Sequence, residues 1–265
     1  RRIGRIQISD VSTADVLAVL QPIWLTKAET ARRVRQRIGT VMKWAVAQGW
    51  RQDNPADTIA AALPKQAKSQ KHRLALHFSE VTDCIEMVKA SGAGETTKLA
   101  FEFLVLTASR SGEVRLARWD EVDLEKGEWI IPAERMKAKK EHRVPLVERS
   151  IEILSEAQRF DDGLGLVFPG NQKGKPLSDM TLSKLVKELG FKADIHGFRT
   201  SFKTWAQECT NCQREVSEAA LAHTIRDRAE AAYARSDLFE KRQKLMRQWH
   251  QYLISKNSKV VRIGV

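Results

Sequence analysis

Residues 191–237 read FKADIHGFRTSFKTWAQECTNCQREVSEAALAHTIRDRAEAAYARSD, and this stretch holds a compact set of side chains suited to phosphate chemistry. His196 and Arg199 stand three residues apart, so on a helix they project from one face. A planar guanidinium can grip two phosphate oxygens, and a nearby imidazole can donate a hydrogen bond or move a proton. His223 adds a second imidazole, and Tyr233 is one of only two tyrosines in the chain. A phenol beside such a cluster is a candidate nucleophile, so the stretch predicts a phosphoryl-transfer enzyme.

The composition is that of a basic globular protein. With 265 residues and 42% hydrophobic content the chain can bury a full core, and its length suits two domains. Lys and Arg number 45 against 33 acidic residues, a net charge of +12. Such an excess attracts polyanions, so nucleic acid is the expected partner. On charge alone, a basic protein without a nucleic-acid role is the alternative.

The cysteines and the hydropathy exclude several classes of protein. Cys84, Cys209 and Cys212 are too few for a disulfide framework and fit a reducing cytoplasm. The Cys209-x-x-Cys212 pair has no second pair at ligand spacing, so we predict no metal site. No run of about eighteen apolar residues is present, and we expect neither a membrane span nor a secretory leader. The chain starts at Arg1 and not at Met, which suggests a fragment of a longer protein.

The N-terminal part is predicted to be helical and basic. Ser12 offers a cap to a first helix, and residues 27–48 repeat apolar side chains at steps of three and four, which predicts an amphipathic helix. Residues 63–77 have little apolar periodicity and indicate a linker. The basic side chains that we expect to contact nucleic acid are Arg32, Arg33, Arg35, Arg37 and Lys43 on the helix and Lys65 and Lys68 in the linker. A solvated basic helix face is the alternative.

The rest of the chain predicts a larger, mainly helical domain. Residues 97–107 are strongly apolar, which indicates a buried helix with Arg110 just beyond its C-terminal end. Short β-branched or aromatic segments then predict a small three-stranded antiparallel sheet, with strands within 119–124, 128–132 and 143–146.

Two further segments of this domain carry specific expectations. Between the last two predicted strands lies a basic loop with Lys137, Lys139 and Lys140, which could set an ammonium beside a phosphate or could simply be solvated. Residues 238–253 predict a helix with one apolar stripe formed by Leu245, Met246, Trp249 and Leu253.

Five separate elements carry a family resemblance. In chain order they are Leu106-Thr107-Ala108-Ser109-Arg110-Ser111-Gly112-Glu113, then Met136-Lys137 before His142-Arg143-Val144-Pro145-Leu146, then His196-Gly197-Phe198-Arg199, Leu221-Ala222-His223 and finally Tyr233. Their order and spacing resemble those of the tyrosine recombinases, the phage integrase family, and particularly the integrases of prophages and genomic islands. The likeness covers most of the chain. Ala222 departs from it, because the family usually has glycine at that place.

The resemblance implies catalytic roles for specific residues. Arg110 and Arg199 would clamp the scissile phosphate and stabilise its pentacoordinate transition state. Tyr233 would attack phosphorus, which gives a 3′-phosphotyrosyl enzyme and a free 5′-hydroxyl. Taken singly, each has a duller interpretation: either arginine could be an ion-pair partner, Arg110 with Glu113 for instance, and the tyrosine could be a packing aromatic.

The remaining roles concern proton transfer and hydrogen bonding. The resemblance implies that Lys137 protonates the leaving oxygen, with Lys139 and Lys140 as competitors for that role. His196 would assist proton movement near the nucleophile, and His223 would hydrogen-bond a phosphate oxygen, although each could instead be a core histidine. Two arginines would take the place of the usual metal, so we predict no cofactor.

The implied protein is a mainly-α site-specific DNA recombinase that serves a mobile element by integration and excision. We expect a partial helical core DNA-binding domain at 1–62, a linker at 63–77, and a catalytic domain of the tyrosine recombinase type with a small three-stranded antiparallel sheet at 78–265. Expected partners are double-stranded DNA attachment sites, sister protomers in a tetramer on DNA, and accessory DNA-bending proteins, in a bacterial or phage setting in the cytoplasm at the nucleoid. The C-terminal segment would dock on a neighbouring protomer. The alternatives are a type IB topoisomerase and a non-cleaving DNA-binding protein.

Overall fold

The computed structural model describes residues 3–66, 74–223 and 236–260, without the side chains of Ala60 and of 256–260. The chain divides into two compact units, Arg1–Lys71 and His72–Val265. The division falls inside the predicted linker. The last linker residues belong to the second unit, because Leu76 is buried there and its carbonyl accepts a hydrogen bond from the Ser201 hydroxyl. The assignment of one unit to DNA binding and the other to catalysis stays a prediction.

The described residues of the first unit, 3–66, form three helices: α1 (Thr13–Trp24), α2 (Ala28–Ala47) and α3 (Ile59–Ala62). Ser12 caps α1, as predicted. Its hydroxyl accepts a hydrogen bond from the Asp15 N–H, and the Asp15 carboxylate accepts one from the Ser12 N–H. The core of the unit lies between these helices and includes Val16, Leu20, Ala31, Met42 and Ile59.

Only part of the apolar face predicted for α2 is buried in this unit. Ala31, Met42 and Ala45 are buried, whereas Val41 and Trp44 are each 51% exposed. The physical reason is geometric, since α1 packs along one side of α2 and covers a narrower arc than the apolar side chains span.

The second unit is mainly helical with one small antiparallel sheet, which confirms the predicted fold class. Its elements in chain order are α4 (Val81–Ala90), α5 (Glu95–Thr107), α6 (Ser111–Arg115), β1 (Val122–Asp123), β2 (Glu128–Ile131), β3 (His142–Pro145), α7 (Glu148–Ala157), α8 (Thr181–Glu188), α9 (Gly197–Cys209), α10 (Arg214–Ala220) and α11 (Phe239–Val260).

The sheet has the order β1-β2-β3, and Trp129 in its middle strand lies opposite Val122 on one side and Val144 on the other. The first strand is shorter than predicted. Residues Trp119–Glu121 form a 3₁₀ turn, because the Glu121 carboxylate accepts hydrogen bonds from the Arg118 N–H and from the Trp129 indole.

Helix α5 is the centre of this core. All its residues from Leu99 to Thr107 are buried, as the apolar run predicts. Phe101 contacts Phe198 of α9 with ring centroids 5.2 Å apart, and Phe103 contacts Trp129 of β2 at 5.4 Å. The helix ends at Ala108 in the left-handed conformation, with φ of 48°. Packing around α5 therefore fixes the point from which the chain leads to Arg110.

Helix α11 completes the core, packing against α4, α10 and β3. The four side chains of its predicted apolar stripe are all buried. Trp249 donates a hydrogen bond to the Val105 carbonyl at 3.0 Å and stacks on Tyr252, with ring centroids 5.7 Å apart. This stripe serves the chain's own core, so it cannot dock on a neighbouring protomer without leaving that core. None of the described helices combines the length and apolar character needed to span a bilayer.

The burial of Trp249 predicts a large effect on stability. Trp249→Ala should lower the free energy of unfolding by about 3–5 kcal/mol, because it empties a fully buried site and removes the indole donor. Trp44→Ala, at an exposed tryptophan of the first unit, is the control and should cost far less. Urea denaturation at two protein concentrations measures both. A midpoint that moves with protein concentration would show instead that this helix is shared between copies.

Candidate active site

Arg110 is held at the junction between α5 and α6. It is the N-cap residue of α6, and the Glu113 carboxylate three residues later receives both its backbone N–H at 2.7 Å and its guanidinium at 2.6 Å. Glu113 is buried, whereas the Arg110 side chain is 23% exposed. The ion pair between Arg110 and Glu113, which the sequence analysis gave as the alternative to a catalytic role, is therefore present. It leaves part of the Arg110 side chain exposed to solvent.

Arg199 lies in the first turn of α9 and is almost completely buried, at 3% exposure. Its guanidinium donates to the Ala108 carbonyl at 2.6 Å and to the Leu221 carbonyl. Its Nε–H has no hydrogen-bond partner among the described residues. Burial and the charge of Arg110 lower the pKa of Arg199 to about 10, against a smaller opposite effect of Glu113. The group is still cationic at neutral pH.

The two arginines meet at the end of α10. Arg110 also donates to the carbonyls of Leu221 and Ala222, at 3.4 Å and 3.3 Å. Ala222 has φ of 45°, a left-handed conformation that favours glycine, which accounts physically for the glycine usual at this place. Residues far apart in sequence are thus tied to one short turn. His223 follows that turn directly.

His223 is paired with an acid that the sequence analysis did not single out. Its Nδ1 is hydrogen-bonded to one carboxylate oxygen of Glu218, and Lys203 of α9 donates to the other at 2.5 Å. Burial lowers the pKa of His223 and the Glu218 hydrogen bond opposes that effect, while the charge of Arg199 adds to the lowering. The signal for Glu218 was present in the sequence, as an acid five residues before the histidine at the end of a helix.

His196 stands immediately before the first residue of α9, half-buried and three residues ahead of Arg199. The next residue, Gly197, is required at this point, because a Cβ there would collide with the Leu74 carbonyl. His196 and Arg199 therefore share the first turn of α9, as their spacing predicted.

The lysine loop is fixed at its base and open at its tip. Met136 is buried, whereas Lys137, Lys139 and Lys140 are exposed. Arg135 anchors the base by pairing with the Glu121 carboxylate and by donating to the Glu113 carbonyl at 2.5 Å. Since Glu113 also holds Arg110, the loop that carries Lys137 is tied to the arginine site through one residue.

One of the three candidate lysines is engaged within the loop. Lys139 has φ of 53°, and its ammonium donates to the Glu134 carbonyl at 3.1 Å. Lys137 and Lys140 form no hydrogen bond or ion pair with the described residues. This arrangement favours Lys137 or Lys140 over Lys139 as a proton donor.

One more imidazole, to which the sequence analysis gave no role, is influenced by the charges of the two arginines. His142 opens β3 directly after the lysine loop. Burial lowers its pKa to about 4, and the charges of Arg242, Arg199 and Arg110 act in the same direction, against Glu113. The ring is therefore neutral at pH 7.

The predicted nucleophile Tyr233 lies outside the described residues, as does Lys68. The basic residues predicted on α2 belong to the first unit, where Arg32, Arg33, Arg37 and Lys43 are exposed and Arg35 is half-buried; Lys65 is exposed as well. Arg33 is partly neutralised by Glu29 at 2.9 Å. Their contact with DNA stays a prediction.

The part of the chain that the structure describes contains no group of three His, Cys, Asp or Glu side chains arranged to hold a metal ion. What the second unit offers is a pair of cations: Arg110 and Arg199 converge on one turn, and His223 follows that turn directly. Such a site can bind an anion with planar oxygen geometry, and it can stabilise negative charge that grows on those oxygens.

Two family models match the chain. Residues 1–62 match the phage integrase central domain, and residues 74–238, more than half of the chain, match the phage integrase family. The prophage integrase IntZ of Escherichia coli K12 is 34% identical over 83% of this chain and 55% of its own length. The integrase of enterobacteria phage P4 is 30% identical over 99% of this chain and 64% of its own length. The chain thus spans little more than half of the first relative and under two thirds of the second.

Solved structures show the same fold. A lambda integrase (75–356) dimer bound to a COC′ core site aligns with a TM-score of 0.59 at 21% identity, over 86% of this chain and 81% of that one. A lambda integrase tetramer bound to a Holliday junction aligns with a TM-score of 0.60 at 21% identity, over 83% and 66%. With its family models, its relatives and its fold in agreement, the chain belongs to the phage integrase family, the tyrosine recombinases.

Proposed function

We propose that this protein is a site-specific DNA recombinase that cleaves and rejoins DNA strands through a 3′-phosphotyrosyl intermediate, for integration and excision of a mobile element. The observation that carries the proposal is the convergence of Arg110, Arg199 and His223 on the turn at Leu221 and Ala222. These are three of the family's catalytic positions, brought together from segments far apart in sequence.

The chemistry follows from the charges. Tyr233 attacks phosphorus, the bond from phosphorus to the 5′-oxygen breaks, and the tyrosine becomes joined to the 3′-phosphate. Arg110 and Arg199 neutralise charge that grows on the non-bridging oxygens, and both are already held by carbonyls and by Glu113, so little reorganisation is needed. Because one phosphodiester is exchanged for another, the reverse attack by a 5′-hydroxyl rejoins a strand without an external energy source.

Proton transfer completes the proposal. The departing 5′-oxygen is a poor leaving group as an alkoxide, and Lys137, on the exposed tip of the anchored loop, protonates it. His196, at the start of α9, assists proton movement near Tyr233, and His223 hydrogen-bonds a phosphate oxygen. The His142 ring is neutral at pH 7, so it adds no positive charge to that of the two arginines.

The partners proposed are duplex attachment sites and sister protomers in a tetramer on DNA, with accessory DNA-bending proteins, in the bacterial cytoplasm at the nucleoid. The relatives bound to a core site and to a Holliday junction support the first two. The basic face of α2 supports DNA contact by the first unit, because most of its cationic side chains are exposed. Such contacts bring affinity and salt dependence rather than sequence choice.

Strand exchange is the test that separates a recombinase from a topoisomerase. The target site is first found by recovering covalently trapped fragments of genomic DNA from the organism that carries the gene. Two duplexes with that site and different end labels are then incubated together with the protein. The proposal predicts products that carry both labels. Relaxation of a supercoiled circle without exchange between the duplexes would contradict it.

A further inference from the structure

We propose that Glu218 positions His223 for contact with the scissile phosphate, by holding the Nδ1–H of the ring and favouring its imidazolium form. The inference deepens the proposed function and rests on it. Glu218 is a positioning residue in this account, since it acts on the phosphate through His223.

The geometry fixes the histidine at two points. The backbone N–H of His223 donates to the Glu218 carbonyl at 3.0 Å, and its ring nitrogen Nδ1 bonds to the Glu218 carboxylate. The other carboxylate oxygen is held by Lys203 at 2.5 Å, and Arg214 stands 3.7 Å away. The side chains of Glu218 and Lys203 are 22% and 29% exposed, and that of His223 is 38% exposed, so the carboxylate and the ammonium are more shielded from solvent than the ring. The ring cannot turn over without losing its bond to the carboxylate.

The chemistry of the pair fixes the tautomer. Burial raises the pKa of Glu218, but hydrogen bonds from Lys203 and His223 outweigh it and lower the pKa overall, so the carboxyl is ionised at neutral pH. An ionised carboxylate only accepts hydrogen bonds, and therefore Nδ1 must carry a proton. In a neutral ring of that tautomer Nε2 has no hydrogen. His223 can donate from Nε2 to a phosphate oxygen only when the ring is the imidazolium.

The neighbours of His223 explain why its imidazolium form needs the carboxylate of Glu218. From α9, Arg199 and Lys203 both disfavour a further positive charge on His223, and Arg110 donates to the neighbouring Ala222 carbonyl. Burial lowers the pKa of the ring as well. Glu218, from α10, is the group that opposes these effects, and a bound phosphate would add a second anion on the Nε2 side.

The direction of the pH dependence follows. The imidazolium is present below the pKa of the ring and is lost as the pH rises through it, so the contribution of His223 to cleavage falls on the alkaline side. Glu218→Gln keeps an oxygen that can accept the Nδ1–H but removes the negative charge. The loss should then set in at lower pH, and on the alkaline side cleavage should be about tenfold slower than in the wild type.

Two readouts test the proposal, with Glu215→Gln, an exposed carboxylate of the same helix, as the matched control. The first is the nitrogen NMR spectrum of histidine-labelled protein without DNA, in which His223→Asn assigns the ring among the six histidines. The wild-type ring should be protonated at Nδ1 and should titrate at lower pH in Glu218→Gln. The second is the pH profile for covalent capture of a nicked duplex.

The outcomes are distinct. A lower titration in Glu218→Gln, together with an alkaline loss of cleavage that moves to lower pH and no change in Glu215→Gln, supports the proposal. An unchanged titration overturns it. Cleavage that is reduced equally at every pH also overturns it, because that result shows a purely structural role. If the wild-type protein captures no DNA but the His223 ring still titrates at lower pH in Glu218→Gln, the proposed function is wrong. The interaction of Glu218 with the ring is then still supported.

Discussion

Replacement of Tyr233 by phenylalanine should abolish covalent capture of DNA, whereas Tyr252→Phe should leave it intact. These are the two tyrosines of the chain, which makes them a matched pair. Phenylalanine keeps the ring and removes the oxygen that would attack phosphorus, so no partial activity is expected from the first variant. Tyr252 instead stacks on Trp249 in the core, and burial raises its pKa, which makes it a poor nucleophile.

A nicked duplex makes this prediction measurable. When cleavage lies close to the nick, the short strand with the 5′-hydroxyl diffuses away and religation stops, so the covalent adduct accumulates and migrates slowly on a denaturing gel. If Tyr233→Phe forms as much adduct as the wild type, the nucleophile assignment is wrong. If the wild type binds the site and forms none, the non-cleaving DNA-binding protein is the better interpretation.

Replacement of Arg199 by alanine should impair both cleavage and folding. Loss of one preorganised donor to a developing negative charge typically costs a factor of about 10²–10³ in rate. Arg199 also donates to the carbonyls of Ala108 and Leu221, which join the end of α5 to the end of α10. In Arg199→Ala the Ala108 carbonyl loses its side-chain donor, whereas the Leu221 carbonyl keeps the longer bond from Arg110. A buried carbonyl left without a donor costs about 1–3 kcal/mol, so the melting temperature should fall as well. Single-turnover cleavage and thermal unfolding measure the two effects.

Arg110→Ala is the comparison that separates the two effects. Its side chain is more exposed, and its hydrogen bonds to the same turn are longer, at 3.3 Å and 3.4 Å. We expect a similar loss of cleavage with a smaller loss of stability. Arg199→Lys keeps the charge but not the two-pronged geometry, and it should recover little activity. Normal cleavage by a destabilised Arg199→Ala would show that this arginine is structural only.

The fold class was accessible from the sequence because the strongest patterns were long. The apolar run of α5 requires burial on more than one side and the stripe of α11 requires burial on one, and the structure buries both. The apolar pattern of α2 indicated its helix correctly, but not how much of it is covered. The periodicity of a sequence indicates how wide the apolar face of a helix is, but not how much of that face a neighbouring helix covers. The exposure of Val41 and Trp44 on α2 could therefore not be predicted.

The sequence predicted several residues of the candidate site but not the contacts that bring them together. Family spacing marked Arg110, Arg199 and His223, but their convergence depends on hydrogen bonds to backbone carbonyls, which no side-chain pattern encodes. The left-handed turn at Ala222 was hidden because alanine stands where glycine would have signalled it. Glu218 and His142 were missed for a similar reason, because each interacts with a residue distant in sequence. Lys203 donates a hydrogen bond to Glu218, and the charge of Arg242 helps to lower the pKa of His142.

Mapping the covalent adduct identifies the residue that attacks phosphorus. Wild-type protein is trapped on a nicked duplex labelled on the segment of the cleaved strand that lies 5′ of the cleavage point and stays joined to the enzyme. The DNA is then digested to a short remnant, and the protein is cut with trypsin. The added nucleotide mass should lie on the peptide 229–235, at Tyr233, joined through a 3′-phosphate. A mass on the peptide 248–256, which holds Tyr252, or on a residue other than tyrosine would contradict it.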